Sequence, residues 1–176
     1  MGDARSHWPD EIFAALRAAE LRQIAYVPDA GHAVLIRRAQ AEPSMRAIAL
    51  TTEEEGIALL AGAWLGGQRG ALLMQSSGVG NCLNMLAMTR TCRFPLLMLV
   101  TMRGEFGEEN PWQLPMGAAT ADALRLMGVA TLRADEPAAA ASAVQAALGQ
   151  VFAGGDAVAV LLGQRLIGAK SFAVGR

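Results

Sequence analysis

The sequence predicts an α/β fold in three layers, with six mainly parallel strands in one sheet between two layers of helices. Apolar strand-like runs alternate with longer helical patterns six times, which is typical of parallel sheets built from strand–helix units. Two runs, LLMLVT and AVAVLL, contain no charged residue, as expected of strands covered on both faces. The composition agrees, with 53% hydrophobic residues, 18% charged residues and a mean hydropathy of +0.29. The 176 residues predict a single domain, 1–176, with its core at about 10–165.

Apolar spacing, glycine and proline mark the elements of the first half. The segment 8–20 places four apolar side chains on one helical face, as an amphipathic helix does. The turn at 28–31 ends the first strand, Pro43 follows the second helix, and Gly66-Gly67 close the third. We therefore expect a helix at 8–20, a strand at 23–27, a helix at 32–41, a strand at 46–50, a helix at 52–65 and a strand at 71–74.

The second half repeats this pattern around a longer polar loop. The run PLLMLVT is the most apolar strand candidate, and the segment 103–115 after it is rich in Gly, Glu and Pro. Polar loops of this length are frequently functional. We expect a helix at 79–89, strand at 95–101, helix at 118–126, strand at 129–133, helix at 137–152, strand at 157–162 and a loose tail after Gly168.

Charge and cysteine content exclude several classes of protein. The 15 Lys and Arg balance 16 Asp and Glu, and aromatic residues make up 5%, which argues against a nucleic-acid surface. Two cysteines are too few for a disulfide framework, and two histidines cannot form a three-His metal site. No apolar run reaches the ~18 residues of a membrane span. Because the first eight residues have no apolar signal core, we expect a cytoplasmic protein.

Four loops at the carboxyl ends of the predicted strands are the places to look for a site, because open parallel sheets bind ligands beyond this edge. They are the segments 28–32, 51–54, 75–81 and 103–112. In the first loop, Asp29 is either a helix cap or part of a site, and His32 faces either solvent or a ligand. In the last, Arg103 either binds an anionic group or pairs with a nearby glutamate.

The third helix is apolar on all sides after its first turn. Its segment GIALLAGAWL has no polar side chain, which indicates a helix buried all round. Its start carries Glu53, Glu54 and Glu55; Thr52 and Glu55 fit a capping box, and all three acids suit the positive end of the helix dipole. One of these carboxylates is expected to be partly buried, with its pKa raised so that it can hold or donate a proton near neutrality.

The segment QSSGVGN, residues 75–81, follows a strand and opens a helix. Its glycines, Gly78 and Gly80, let the backbone approach a ligand, and free N–H groups at a helix start favour an anion. A tight turn without a ligand is the alternative. The segment departs from the dinucleotide-binding fingerprint, because Leu83 stands where the third glycine belongs and no acid lies about 20 residues on. It also lacks the Gly-Lys-Ser/Thr of a Walker loop.

Together these segments resemble the pyrimidine-binding domain of thiamine diphosphate enzymes over about residues 10–165. TEEEG continuing to AGAW is similar to the family's glutamate-bearing helix, and counting back from Trp64 places the cofactor glutamate at Glu54. LLMQSSGVGN is similar to the family's Ser-Gly-x-Gly-Asn segment. Two further segments resemble the sulfopyruvate and phosphonopyruvate decarboxylases, especially the separate α subunit of the former. They are VPD at 27–29 and the spaced RGE, NP, Q and PMG at 103–117.

The resemblance implies a carboxy-lyase that converts a 2-oxo acid, such as sulfopyruvate or phosphonopyruvate, to an aldehyde and CO₂. Glu54 would hydrogen-bond the aminopyrimidine and stabilise the imino tautomer that deprotonates the thiazolium. Many relatives carry His or Asn where this chain has Glu53, an acid that would raise the pKa of Glu54 further or disfavour an anionic substrate. The implied cofactor contacts are Pro28, Asp29, Glu54, Ser77, Gly78, Gly80 and Asn81, and the implied substrate contacts are His32, Gln75 and Arg103.

The resemblance covers only the half of such an enzyme that holds the aminopyrimidine. The other half binds Mg²⁺ and the diphosphate through a Gly-Asp-Gly…Asn motif. The nearest match here, GGDA at 154–157, is followed by an apolar strand and is rejected. We therefore expect thiamine diphosphate between this chain and a second subunit that holds Mg²⁺, in a dimer or heterotetramer.

Two other functions stay open on the sequence. A regulatory or assembly subunit with the same fold would bind its partner independently of thiamine diphosphate and of Glu54. A dinucleotide-binding domain would use Gly78-Val79-Gly80 and bind NAD. The sequence does not determine which 2-oxo acid is the substrate.

Overall fold

The computed structural model describes residues 8–168, so the tail after Gly168 and residues 1–7 lie outside the described residues. Helices and strands alternate along the chain, as predicted. They are α1 (Trp8–Ala18), β1 (Leu21–Tyr26), α2 (Ala33–Ala41), β2 (Arg46–Ala49), α3 (Glu53–Leu65), β3 (Arg69–Gln75), α4 (Ser76–Thr91), β4 (Leu96–Thr101), a 3₁₀ helix (Pro111–Gln113), α5 (Leu114–Leu126), β5 (Ala130–Ala134), α6 (Pro137–Phe152), β6 (Ala157–Leu162) and α7 (Gln164–Ile167).

The six strands form one sheet in the order β2-β1-β3-β4-β6-β5, and every neighbouring pair is parallel. Helices α1, α2 and α6 cover one face, and α3, α4 and α5 cover the other. The predicted three-layer α/β fold is therefore confirmed.

The central strands are buried on both faces, and their side chains alternate between two apolar cores. In β4, Leu97 and Leu99 point to the α1 and α6 side, whereas Met98 and Val100 point to the α3 and α4 side. This period of two follows from the strand geometry. Each fully buried side chain of this size contributes roughly 1.5–3 kcal/mol relative to exposure. Within residues 8–168, none of the helices has the length and hydrophobicity needed to cross a membrane.

The start of α4 differs from the prediction. The helix begins at Ser76, directly after β3, and not at Val79. Gly78 and Gly80 lower the helix propensity of this segment, which is why the sequence indicated a loop. Burial of Ser76 and Val79 overrides that propensity. The glycine segment is therefore the first turn and a half of a helix.

Helix α3 also differs from the prediction, since it is not buried on all sides in the single chain. Ile57 and Leu60 are buried against the sheet and α4, whereas Ala58, Gly62 and Leu65 are exposed. Leu65 is 87% exposed. Among the helices of residues 8–168, α3 packs mainly against α4, so one of its apolar faces is left open.

The strand order creates a switch point at β1. The chain leaves β1 for β2 on one side and later returns to β3 on the other. In open parallel sheets, the crevice beyond the carboxyl ends of two such strands is the usual ligand site. The segments after Tyr26 and Gln75 border this crevice.

Candidate active site

Side chains from three neighbouring strands meet at the carboxyl edge of the sheet. Asp29 follows β1, Gln75 ends β3 and Thr101 ends β4. Asp29 accepts hydrogen bonds from the Thr101 hydroxyl at 2.7 Å and from the Gln75 amide at 3.0 Å. Gln75 in turn accepts from the Ser77 hydroxyl at 2.7 Å and the Gln113 amide at 3.1 Å. One polar network thus joins the predicted site residues Asp29, Gln75 and Ser77.

Asp29 is held in its charged form by this network. Burial raises the pKa of Asp29, but the hydrogen bond from Thr101, the charge interaction with His32 and the hydrogen bonds from Gln75 and Gly31 together bring the pKa below its ordinary value. The Gly31 N–H donates at 3.0 Å and closes a turn. Helix α2 has no side-chain cap, so the alternative role of Asp29 as a helix cap is not observed. The edge of the sheet therefore carries a fixed negative charge.

His32 does not face solvent or a ligand. Its side chain is fully buried, and Nε2 lies 3.2 Å from the Met74 carbonyl oxygen and 3.0 Å from that of Leu99. Two acceptors at Nε2 require that this nitrogen carries the proton, and Nδ1 has no partner among the described residues. Burial lowers the pKa of His32. The predicted substrate contact of His32 is therefore not supported, because the ring lies behind the carboxyl edge.

The three glutamates at the start of α3 point in different directions. Glu53 shares the buried face of the helix with Ile57 and Leu60, three to four residues apart. Glu54 is half-buried, and the residue four positions on, Ala58, is exposed. Side chains spaced by three or four residues lie on one face of a helix. Glu53 therefore points inward and Glu54 outward.

The Glu53 side chain packs against the start of α4. Its Oε2 accepts a hydrogen bond of 2.8 Å from the Asn81 amide. A methyl group on Gly78 would overlap the Glu53 carboxylate. Gly78 and Asn81 were both predicted as cofactor contacts. In the structure, both residues contact Glu53. The partly buried carboxylate expected at this helix start is thus Glu53, which is 9% exposed.

Glu54 and Glu55 have separate partners on the outer side. The Thr52 hydroxyl donates to Glu54, and the Thr51 N–H donates to Glu55 at 2.8 Å. The predicted capping box is not formed, since the Thr52 side chain does not cap the helix and Glu55 accepts from the N–H of Thr51 instead of that of Thr52. The Thr52 hydroxyl lowers the pKa of Glu54. The expectation of a raised pKa at Glu54 is wrong for the single chain, because the hydrogen bond from Thr52 outweighs the effect of burial on the pKa.

Arg103 forms an ion pair within the long loop, which is the alternative that the sequence left open. Its Nε and Nη2 each donate to Glu108 at 2.7 Å, and Arg103 is 7% exposed. Glu108 also accepts from the N–H groups of Gly104 and Asn110 and from the Gln164 amide. The Arg103 bond lowers the pKa of Glu108 to about 2. The guanidinium is thus occupied and does not present a free positive charge to an anion.

Two predicted cofactor contacts are exposed. Pro28 follows β1 beside Asp29, and Gly80 lies in the second turn of α4. A methyl group on Gly80 would meet only the Met116 sulfur, at 3.5 Å. Both positions are open to a ligand at the carboxyl edge.

Three residues of the site were not singled out from the sequence. Thr101 appears there only as the last residue of an apolar strand, and Glu108 as one of several acids in a loop. Gln164 accepts from Glu105 N–H at 2.8 Å and donates to Glu108 at 3.0 Å. Its partners lie more than 50 positions away, so no local pattern identifies it.

The rejected diphosphate motif lies on the wrong side of the sheet. Gly155 and Asp156 immediately precede β6, at the amino edge opposite Asp29 and Gln75. Across residues 8–168, no three His, Cys, Asp or Glu side chains are grouped so that they could hold a metal ion.

Comparison with known families identifies the class of protein. Residues 9–110 match the family described as thiamine pyrophosphate enzyme, N-terminal TPP binding domain. The match covers more than half of the chain, which therefore belongs to this family.

Two curated relatives narrow the comparison. The chain is 33% identical over 154 residues to the sulfopyruvate decarboxylase subunit alpha of Methanothermobacter thermautotrophicus, covering 87% of this chain and 93% of that protein. It is 36% identical over 118 residues to the phosphonopyruvate decarboxylase of Streptomyces viridochromogenes, covering 66% of this chain but only 30% of that longer protein. The chain thus matches the α subunit over nearly its whole length.

A solved structure supports the fold. The 2-oxoglutarate:ferredoxin oxidoreductase from Magnetococcus marinus superposes with a TM-score of 0.69 over 91% of this chain and 29% of that chain. The sequence identity is 14%, so this likeness concerns the fold alone.

Proposed function

We propose that this chain is the pyrimidine-binding α subunit of a thiamine diphosphate-dependent 2-oxo acid decarboxylase that acts on sulfopyruvate or phosphonopyruvate. The observation that carries the proposal is the position of Glu54. This carboxylate stands at the start of α3, on the open face of the helix, at the same edge of the sheet as the switch point. The named relatives and the family match supply the reaction class.

The residues present fit an aminopyrimidine. Glu54 has one side-chain donor, the Thr52 hydroxyl, and a carboxylate retains further acceptor sites for a ring N–H. When bound, thiamine diphosphate supplies the electron sink for the loss of CO₂. A ligand and a partner surface covering Glu54 would remove water from this carboxylate and raise its pKa from the low value of the single chain. Glu54 would then share a proton with the ring nitrogen.

The polar network at the switch point would orient the bound molecules. The Gln75 amide donates a hydrogen bond to Asp29, and the Ser77 hydroxyl, which donates to Gln75, is exposed at the outer end of the network. Pro28 and Gly80 leave space beside them. Preorganised donors and acceptors of this kind fix the orientation of a ligand without rearrangement at the moment of reaction.

The anionic end of the substrate requires a cation that the network does not offer. Arg103 is neutralised by Glu108, and His32 is buried behind the edge. Asp29 adds a negative charge beside Gln75. We therefore assign the binding of the sulfonate or phosphonate to the second subunit, and we leave Gln75 as the substrate contact of this chain.

The second subunit would dock on the open face of the α3 side and supply Mg²⁺ and the diphosphate site. Ala58, Gly62 and Leu65 form an apolar face beside Glu54, and a strongly apolar exposed surface usually marks an interface. Trp112 and Leu114, at 86% and 46% exposure, form a second exposed apolar patch, at the start of α5. We propose that this chain also self-associates, in a dimer or heterotetramer, and that the complex is located in the cytoplasm.

The test is a purification of the tagged chain from its native cells, with bound proteins identified by mass spectrometry. A stoichiometric partner carrying Gly-Asp-Gly…Asn is expected, and the complex should decarboxylate sulfopyruvate or phosphonopyruvate with thiamine diphosphate and Mg²⁺. Glu54→Gln in that complex should nearly abolish turnover but leave assembly intact. Glu11→Gln, an exposed change on the opposite helical layer, is the control. Normal turnover by Glu54→Gln would favour a regulatory subunit instead.

A further inference from the structure

We infer that Glu53 is a positioning residue for Glu54, acting through its hydrogen bond to Asn81. This inference rests on the proposed function, because Glu54 matters only if it meets the aminopyrimidine. It assigns to Glu53 and Asn81 a role that neither the family match nor the relatives' names describe.

Glu53 joins the starts of helices α3 and α4. Glu53 is the first residue of α3, and Asn81 lies in the second turn of α4. The 2.8 Å hydrogen bond between them is charge-assisted, and such bonds are roughly twice as strong as neutral ones. Since Glu53 is 9% exposed, solvent competes little for this contact.

The surroundings of Glu53 leave the first turn of α3 little freedom to move. Gly78 lies so close to the Glu53 carboxylate that a methyl group there would overlap it. On the next turn of α3, a methyl group on Gly56 would lie 2.9 Å from a Leu50 methyl carbon and closer still to Leu72. The first turn of α3 is therefore held on its inner side at two levels.

The contact of Glu53 also affects the position of Glu54. Glu53 and Glu54 are consecutive residues of one helical turn but lie on different faces. On the outer side, the contact of the Glu54 carboxylate is a local one to Thr52, two residues back. A local contact cannot fix the turn relative to the rest of the protein. The inner contact of Glu53 with α4 therefore sets the position of Glu54.

A set of variants distinguishes the effect of the Glu53–Asn81 hydrogen bond from the effect of changing either residue. Glu53→Ala removes the acceptor and Asn81→Ala removes the donor. Asn81→Asp opposes two carboxylates. Glu53→Gln keeps an acceptor oxygen for Asn81, and the double variant Glu53→Gln/Asn81→Asp reverses donor and acceptor. Glu11→Gln again serves as the control.

The expected result in the assembled complex is a loss of kcat in Glu53→Ala, Asn81→Ala and Asn81→Asp of about 10-fold to 100-fold, the scale of an ångström-sized misplacement. The KM for the 2-oxo acid should change by less than about 3-fold, since the substrate contacts are retained. Glu53→Gln and the double variant should keep kcat within about 3-fold of the parent. A merely structural role would lower the amount of folded, assembled enzyme and would leave kcat per assembled complex unchanged.

A second readout uses the chain without cofactor. Hydrogen exchange of the segment 52–57 should accelerate in Asn81→Asp and return to the parent rate in the double variant. This measurement also applies if the single variants assemble poorly with the partner. Equal exchange in all variants would overturn the inference.

The outcomes distinguish the two proposals. An inactive Glu54→Gln together with a fully active Asn81→Asp leaves the proposed function intact and overturns the positioning role of Glu53. A double variant as inactive as Asn81→Asp overturns it as well. An active Glu54→Gln contradicts the proposed function itself.

Discussion

Arg103 and Glu108 form a two-pronged ion pair, with both N–O distances at 2.7 Å, that closes the loop between β4 and α5 upon itself. The Glu108 side chain is fully covered. The pair also binds Gln164 of α7, so the loop is fastened to the end of β6. An arginine that the sequence offered as an anion ligand thus holds the scaffold of the site.

This pair predicts a loss of stability in acid. The pKa of Glu108 is about 2, below its ordinary value of 4.5. The folded state therefore holds its proton less readily than the unfolded state, and the stabilisation is complete above about pH 4.5 and lost as the pH falls towards 2. Glu108→Gln should flatten the dependence of the urea midpoint on pH in this window. An unchanged slope, with Glu11→Gln as control, would contradict the prediction.

His32 predicts a second loss of stability on acidification, which begins at a higher pH than the loss caused by Glu108. Burial holds its pKa below the ordinary value of 6.5, so the folded protein keeps the ring neutral while the unfolded chain takes up a proton. The stability is therefore complete above about pH 6.5 and decreases as the pH falls below it.

The measurement is the urea midpoint between pH 7.5 and 5 for the parent chain and His32→Gln. The variant should lose about 1–3 kcal/mol at pH 7.5, because the buried carbonyl oxygens lose their ring donor, and its slope below pH 6.5 should be smaller. His7→Gln, which changes the other histidine, is the matched control. A slope that disappears in the control and persists in His32→Gln would refute the assignment.

Gly78 and Gly80 form a natural pair for a third prediction. Gly78→Ala should destabilise the chain by about 1–3 kcal/mol, as overpacking does, because the new methyl group displaces the Glu53 carboxylate. Gly80→Ala meets only a sulfur at 3.5 Å and should stabilise the helix by about 0.5–1 kcal/mol. Thermal unfolding of the two variants checks both signs. If Gly80 contacts the cofactor, Gly80→Ala should also weaken binding of thiamine diphosphate by the assembled complex.

The open face of α3 yields the fourth prediction. Ala58→Lys should leave the chain folded, since Ala58 is exposed, but should weaken association with the second subunit at least about tenfold, because an unpaired charge is costly to bury. Ala14→Lys, an exposed change on α1 in the other layer, should have no effect. Analytical ultracentrifugation of the mixed subunits measures both. Equal association of the two variants would exclude this face as the interface.

The strand–helix alternation and the edge of the sheet that carries the candidate site residues could be predicted from the sequence, because they depend on local patterns. Runs such as LLMLVT and AVAVLL are apolar throughout, and Pro43 and Gly66 stop their helices close to where the structure ends them. The carboxyl-edge rule then places Asp29, Glu54 and Gln75 at one edge without knowledge of any contact.

The start of α4 could not be predicted in the same way. Two glycines within three positions indicate a loop by propensity, but burial of Ser76 and Val79 makes the segment helical. The same glycines illustrate a second limit. Gly78 is required by a side chain 25 positions earlier, whereas Gly80 has no such neighbour, and both have the same local sequence signal.

The amino-acid pattern was sufficient for the fold class and the family resemblance, because periodicity, punctuation and motif spacing are properties of neighbouring residues. The choice of Glu54 rests on motif spacing and stays a prediction. Which side chains are free and which are already bound depends on residues far apart in the chain. Glu53 meets Asn81, His32 meets the carbonyl groups of β3 and β4, and Arg103 with Glu108 meets Gln164. Folding brings these groups together, and burial then determines their charge and hydrogen bonds.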